Sequence, residues 1–156
     1  MKNKKGIMEI IFTDNSNSDF IVLTERLDAE LDQMYGELQK HYHPLNKAIG
    51  VKQVVLVYDG EAPAACGAYK ELDTEAIELK RVYVCDSHRG EGISKIVVRA
   101  LEEDARRNGY TVMYLETGVK QTPAIKLYRS CGYEIVENYG PYAGDTNSIC
   151  MRKVLR

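Results

Sequence analysis

Two glycines, Gly90 and Gly92, lie one residue apart in the stretch SHRGEGISK (87–95), between a run rich in β-branched and aromatic residues and an amphipathic one. A helix N-terminus presents unpaired N–H groups and about half a positive charge, and glycines before it let an anion reach those donors without meeting a Cβ. Arg89 adds a cation, and Ser94 adds a hydroxyl in the first helical turn. The chemistry that suits this spacing is the binding of a phosphate or pyrophosphate. A P-loop is excluded because GxxxxGK[ST] does not occur, and the third glycine of GxGxxG would fall at Lys95. The residues alone leave two readings open, an anion site or a tight strand-to-helix turn without a ligand.

Other reactive side chains are less suggestive. Cys66, Cys85, Cys131 and Cys150 are far apart and form no CxxC pair, so each reads as a small buried hydrophobe. His41 and His43 alternate like ligands on a strand, but no third His or Cys is placed to complete a zinc site, and no metal is expected. The net charge of −2, from 21 basic and 23 acidic residues, favours neither nucleic acid nor an anionic membrane as a partner. No apolar run approaches the ~18 residues of a membrane span. The opening MKNKKGIMEI lacks a signal peptide's apolar stretch, so a soluble protein in a reducing cytoplasm is expected.

The elements that must hold these groups follow from hydrophobic period. MEIIFT (8–13) is a short strand candidate, and NSNSD (15–19) supplies N-cap residues before Phe20, Leu23, Leu27 and Leu31, which recur at helical intervals. A second helical piece with Leu31, Met34 and Leu38 is expected to run towards HYHP, where Pro44 argues for a stop. VVLVYD (54–59), APAACGAYKEL (62–72) and AIELKRVYV (76–84) read as a three-stranded antiparallel meander with turns at Asp59-Gly60 and Asp73-Thr74. Pro63 fits only a strand start or an edge. Ile93, Ile96, Val97, Ala100, Leu101 and Ala105 form one helical stripe that ends at Arg106, Arg107 and Gly109. TVMYLET (111–117) is the next strand, so the β-α-β order favours a crossover between parallel strands. Thr122 as N-cap and Pro123 at the first helical position open a short helix, AIKLYRSC (124–131), closed by Gly132. YEIVE (133–137) and SICMRKVL (148–155) are strand candidates joined by the loop NYGPYAGDTN (138–147). No repeat or linker divides the chain, and a single domain over residues 1–156 is expected, a size at which one complete core is available.

The segment from Leu79 to Thr117 resembles the core motif of the GNAT superfamily, the N-acyltransferases that use acyl-coenzyme A. That motif is a strand, a loop of the type R-G-x-G-[IVL]-[GSA] and a helix, and Arg89, Gly90, Gly92, Ile93 and Ser94 fall in register with it. AIKLYRSCGYEIV resembles the second signature of the family, A-[IV]-x-L-Y-x-x-x-G-[FY], through Ala124, Ile125, Leu127, Tyr128, Gly132 and Tyr133. The resemblance covers about residues 52–155. It implies a mixed α/β (α+β) fold, with a central, mostly antiparallel sheet, one splayed parallel strand pair, and flanking helices.

The resemblance also implies roles. The loop Arg89-Gly90-Glu91-Gly92-Ile93-Ser94 would bind the coenzyme A pyrophosphate, and the backbone of Val82, Tyr83 and Val84 would pair with the pantetheine arm. The N–H of Val82 would polarise the thioester carbonyl. Glu78 matches the position where a glutamate often serves as base through a water, with Glu116 on the neighbouring strand as its rival, and Tyr128 matches the tyrosine that protonates the departing thiolate. Gln121 stands where many relatives carry an asparagine that touches the cofactor.

Relatives build the acceptor site from the N-terminal helices and the last loop, which makes Tyr35, His41, Tyr42, His43, Tyr139 and Tyr142 candidates to line it. The expected activity is transfer of the acetyl group of acetyl-CoA to a primary amine of a small molecule or amino acid. The alternatives are a protein or peptide N-acetyltransferase and a non-catalytic acyl-CoA sensor. The resemblance leaves room for a homodimer.

Overall fold

The computed structural model describes residues 8–38, 40 and 49–156. Its seven strands form one mixed sheet: β1 (Met8–Thr13), β2 (Val51–Asp59), β3 (Ala62–Glu71), β4 (Ala76–Val84), β5 (Val112–Gly118), β6 (Glu134–Val136) and β7 (Ser148–Val154). They lie side by side in the order β1-β2-β3-β4-β5-β7-β6. Only β4 and β5 run parallel; the other neighbours are antiparallel. The meander therefore has four strands, since MEIIFT pairs with β2 along its whole length. Pro63 is the second residue of β3, where the ladder has a register shift and a missing N–H is tolerated.

Among the described residues three long helices flank the sheet, α1 (Ser18–Tyr35), α2 (Ile93–Arg107) and α3 (Thr122–Ser130). Asn17 caps α1, its Oδ1 accepting from the amides of Asp19 (2.8 Å) and Phe20 (3.1 Å). The two helical pieces expected to share Leu31 form one helix. Leu31 and Met34 continue the same helix to Tyr35, because no glycine or proline interrupts it before Gly36 (φ 56), and Leu38 ends a 3-10 turn instead. The stop expected at Pro44 lies outside the described residues. On α3 the cap is Gln121 and not Thr122: the Gln121 carbonyl accepts from Ala124 and Ile125, while its side chain bonds Gly118.

Each sheet face buries a separate apolar set. Val97, Leu101 and Ala105 of α2 pack with Val55, Tyr69, Ile77, Leu79, Met113, Leu115 and Met151 on one face, while Phe20 and Leu23 of α1 pack with Val54, Leu56, Cys66, Ala68 and Tyr83 on the other. Covered on both sides, β2 and β3 read as continuous apolar runs. The buried stripe of α2 is wider than its apolar spacing suggests, since Glu102 and Asp104 are also buried. Glu102 accepts from Tyr133 Oη (2.8 Å) and Lys153 Nζ (3.0 Å), and Asp104 accepts from Tyr69 Oη (2.6 Å). The four cysteines are buried and free; burial pushes the Cys66 thiol up to about 12 and Cys150 to about 11, as suits packing and not reactivity.

Two irregularities of β4 position the site. Its parallel pairing with β5 holds for Ala76–Val112, Ile77–Met113 and Glu78–Tyr114 and then stops, although both strands continue. On its other side Cys66 pairs with Tyr83 but Ala68 with Lys80, so Gly67 alone opposes Arg81 and Val82. Arg81 occupies the left-handed region (φ 61), which costs an L-residue about 1–2 kcal/mol. Its guanidinium, nearly buried, donates to Thr24 O and Asp28 Oδ1, both at 2.9 Å, and so ties the bulge to α1.

Candidate active site

Where β4 and β5 part, a cleft of about 830 Å³, counting its solvent-open part, lies between the strands. Glu78 to Val82 form one wall, Leu115 to Gly118 the other; Gln121, Ala124 and Tyr128 of the α3 region close one end, and Leu27, Leu31 and Tyr35 of α1 lie across it. Separated strands leave backbone donors and acceptors without a ladder partner, a surface suited to an extended polar chain. The bulge at Arg81-Val82 re-aims the β4 backbone at this point.

Beyond β4 the chain makes a 3-10 turn, Asp86–His88, and enters α2 through the two glycines. Gly90 (φ 82) and Gly92 (φ 80) both need the left-handed region, and a Cβ at either would meet no atom within 4 Å. No side chain caps α2. Its first amides, at Ile93 and Ser94, therefore face an open space bounded by glycine, which fits a phosphate group. Glu91 is exposed between the glycines. Arg89 is already engaged: it donates to both oxygens of Glu30 (3.1 and 2.9 Å), pairs with Asp86 (2.8 Å) and bonds Val84 O through Nε (2.8 Å). Its guanidinium also covers the Tyr83 ring at 5.3 Å. In this arrangement Arg89 fixes the loop to α1. His88 Nε2 makes a second tie, 2.9 Å from Asp59 Oδ2 at the β2–β3 turn.

On the α1 side of the sheet the cleft opens onto a polar cluster. Glu78 is 4% exposed; its Oε2 accepts from Tyr139 Oη at 2.7 Å, and its Oε1 lies 3.5 Å from Lys80 Nζ. Lys80 also reaches Tyr142 Oη at 3.4 Å. Burial draws the Lys80 ammonium below its ordinary value, with Glu78 opposing. Glu116, across the splay, accepts from Ser148 Oγ at 2.7 Å. Burial raises its carboxyl above the usual range, while Ser148 and Lys80 pull it down. Burial and the Glu78 charge raise Tyr139 and Tyr142, which stay protonated near neutrality. Tyr139 stacks edge-on between Tyr114 (5.1 Å) and Tyr142 (5.7 Å).

At the opposite end Tyr128 lines the cleft with Val82; burial raises its phenol above its ordinary value, and it meets Tyr133 edge-on at 5.9 Å. Gln121 Oε1 accepts from Gly118 N at 3.0 Å, so the amide at the relatives' asparagine position holds the end of β5. Tyr35 packs so closely on Gly118 that a Cβ there would overlap its hydroxyl.

The cleft thus joins Glu78, Val82, Gln121, Tyr128, Tyr35 and Tyr142, and Tyr139 reaches it through Glu78. Tyr83 and Val84 lie further along β4, towards the loop 89–94. His41, Tyr42 and His43 lie outside the described residues. Sequence reasoning missed Glu30, Asp28 and Ser148, whose partners are 59, 53 and 32 residues away, separations that no local pattern reports. Among the described residues no group of three or more His, Cys, Asp or Glu could hold a metal ion, and no helix is long and apolar enough to cross a membrane.

A sheet with one splayed parallel pair, an uncapped helix behind two left-handed glycines and a phenol in the gap together define the acyl-coenzyme A acyltransferase class. The profile of the acetyltransferase (GNAT) family matches residues 16–133, and the chain belongs to that family, an acyltransferase by class. It is 40% identical over 100 residues to the N-acetyltransferase YsnE of Bacillus subtilis, covering 63% of this chain and 66% of that one. It is 33% identical over 139 residues to an IAA acetyltransferase of Azospirillum brasilense, covering 86% and 90%. A solved acyl-CoA N-acyltransferase of Klebsiella pneumoniae superposes with a TM-score of 0.81 at 29% identity, over 96% of this chain and 99% of that one. A GNAT acetyltransferase of Elizabethkingia anophelis, solved with acetyl-CoA bound, shares the fold at a TM-score of 0.69 and 17% identity, over 95% and 98%.

Proposed function

We propose that the protein transfers the acetyl group of acetyl-CoA to a primary amine of a small molecule or amino acid. The observation that carries this reading is that β4, unpaired with β5 beyond Glu78, runs from the cleft lined by Glu78, Val82 and Tyr128 towards the loop and the uncapped start of α2. The amides of Gly92, Ile93 and Ser94, with Gly90 and Glu91 beside them, receive the pyrophosphate, and Arg89 fixes that loop. The β4 backbone from Val82 to Val84 pairs with the pantetheine, with Tyr83 and Gln121 bounding its course.

Chemistry then needs three groups. An alkylammonium has a pKa near ~10.4, so a carboxylate at the mouth, Glu78 or Glu116, must take its proton. The Val82 N–H stabilises the developing oxyanion. Tyr128 protonates the departing thiolate, a role supported by its place in the cleft with Val82. A net charge of −2 supports a reading without nucleic acid or an anionic membrane as partner, and four separated cysteines with no CxxC pair support a reducing cytoplasm.

The test is calorimetric titration with acetyl-CoA, with ATP and dephospho-CoA as controls, followed by a thiol-release screen over amines, amino acids and peptides. Selective binding of acetyl-CoA and turnover with small amines is expected. No binding by folded protein would overturn the donor site; binding without turnover on any amine would mark a sensor; turnover on peptides alone would move the acceptor to proteins.

A further inference from the structure

The two outer strands of the sheet end it differently. β6 is three residues long, starts at the exposed Glu134 and is followed by the exposed Glu137, features that keep an edge from pairing with another chain. β1, at the other end, is not protected in this way. All six of its residues pair with β2 without a register shift, and it contains no proline, glycine or lysine. Its one charge is Glu9, and Ile10, Ile11 and Phe12 are exposed by 44, 37 and 40%. Among the described residues no strand pairs with its outer side, which leaves a row of backbone N–H and C=O groups open there. The start of α1 stands over the same strands, since Asp19 accepts from Tyr58, the partner of Glu9 on β2, and Ile21 and Val22 of that helix are exposed as well.

We propose that β1 pairs antiparallel with β1 of a second copy of this chain, across a two-fold axis at Ile11, and so joins two sheets edge to edge. The occupant is a strand, because the open edge offers hydrogen bonds that only an extended backbone returns in full. The side chains then select a second copy. A two-fold axis perpendicular to the sheet keeps each side chain on its own face, so a residue opposes itself or one an even number of positions away. Centred on Ile10, the pairing would set Glu9 against the partner's Ile11. Centred on Ile11, it sets Ile10 against the partner's Phe12, Ile11 against its own equivalent, and Glu9 against the partner's Thr13. Ile10 and Phe12 lie on the α2 face with their neighbours Val57 and Val55, so both copies together form one apolar cluster there. Ile11, beside Leu56, meets its equivalent on the α1 face. The one charge thus faces a hydroxyl and not its own like. The contact lies three strands from β4 and leaves both clefts clear, so the pairing goes beyond the acyltransferase reading and is independent of it. One strand pair with these side chains is at the small end of specific interfaces, and the dimer should dissociate on dilution.

Sedimentation velocity of the full chain over a dilution series tests the pairing, with Ile11→Lys, Thr13→Lys and Thr13→Glu beside the parent, each first checked for parent-like circular dichroism. The parent should be a dimer that dissociates on dilution. Ile11→Lys sets two ammonium groups face to face on the axis and should be monomeric at every concentration. The Thr13 variants read the register. Thr13→Lys, opposite the partner's Glu9, should tighten the dimer and Thr13→Glu should loosen it, each by roughly 2- to 30-fold in Kd for the two symmetric pairs. Adding Glu9→Lys to Thr13→Glu should restore the dimer that Thr13→Glu alone weakens. A parent that is monomeric throughout would overturn the proposal, and so would a dimer that survives Ile11→Lys. Equal effects of Thr13→Lys and Thr13→Glu would overturn the axis at Ile11. Should Ile11→Lys fail to fold, the opposite shifts of the two Thr13 variants decide the matter alone.

Discussion

Gly67→Ala tests whether the bulge that aims Val82 depends on one missing methyl group. Gly67 is not in the left-handed region, so alanine suits its backbone, and the obstacle is packing alone. A Cβ there would stand 2.6 Å from Val97 Cγ1, 3.1 Å from Leu101 Cδ1 and 3.5 Å from Val82 Cγ2. Val97 and Leu101 are fully buried, and a β-branched side chain on a helix has essentially one rotamer, so the methyl cannot be accommodated by rotation. Overpacking of this kind costs about 1–3 kcal/mol, against roughly 0.4–1 kcal/mol gained by stiffening the unfolded chain. The net loss is about 1–2 kcal/mol, or roughly 2–8 °C in Tm for a chain of this size. Because Gly67 opposes Arg81 and Val82, the displacement should also reach the bulge, lowering kcat while acetyl-CoA affinity changes little. Urea unfolding of the parent, Gly67→Ala, Val97→Ala and the double variant measures the coupling, expected at about 1 kcal/mol or more in favour of the double variant. Coupling below about 0.5 kcal/mol, the scatter of independent sites, would refute the reasoning.

Tyr128→Phe should reduce turnover by about 10²-fold or more with acetyl-CoA affinity nearly intact, and unchanged turnover in a thiol-release assay would remove it as the acid. Gly92→Glu places a side chain and a negative charge in the space before α2, so acetyl-CoA binding by calorimetry should be lost; parent-like affinity would mean that the glycines serve only the turn. Lys153→Met leaves the buried Glu102 carboxylate with Tyr133 as its remaining donor, and should cost about 2–3 kcal/mol in urea unfolding. That is less than for a fully buried pair, because the Lys153 side chain is 26% exposed. A loss under about 0.5 kcal/mol would show that the ion pair is solvated.

What the sequence revealed and what it concealed divide along one physical line. A glycine required for φ above zero is visible wherever it falls, and Gly90, Gly92 and Gly109 all take that conformation. Apolar period is likewise local, which is why the strands of the meander and the core stripe of α2 were legible. The separation of β4 from β5 was legible only through resemblance, because the loss of pairing after Glu78 is a property of two strands and of no single residue. Arg81 shows the limit most clearly. Nothing about an arginine between Lys80 and Val82 signals a left-handed residue; the conformation is held by Asp28 and Thr24, more than fifty residues earlier.

Arg89 carries the same lesson into function. Beside Gly90 its charge reads as a phosphate ligand, yet Glu30 of α1, from 59 residues away, supplies the anion that it meets. Together with Arg81 and Asp28, this pair places two ion-pair ties between α1 and the strand and loop on which the donor reading depends. The first helix also lends Leu27, Leu31 and Tyr35 to the cleft that Glu78 and Glu116 flank. The proposed donor loop, oxyanion strand and acceptor mouth are therefore joined through one helix. A change on α1 that loosens either arginine should disturb both substrates, although the two signatures of the chain lie more than forty residues beyond it.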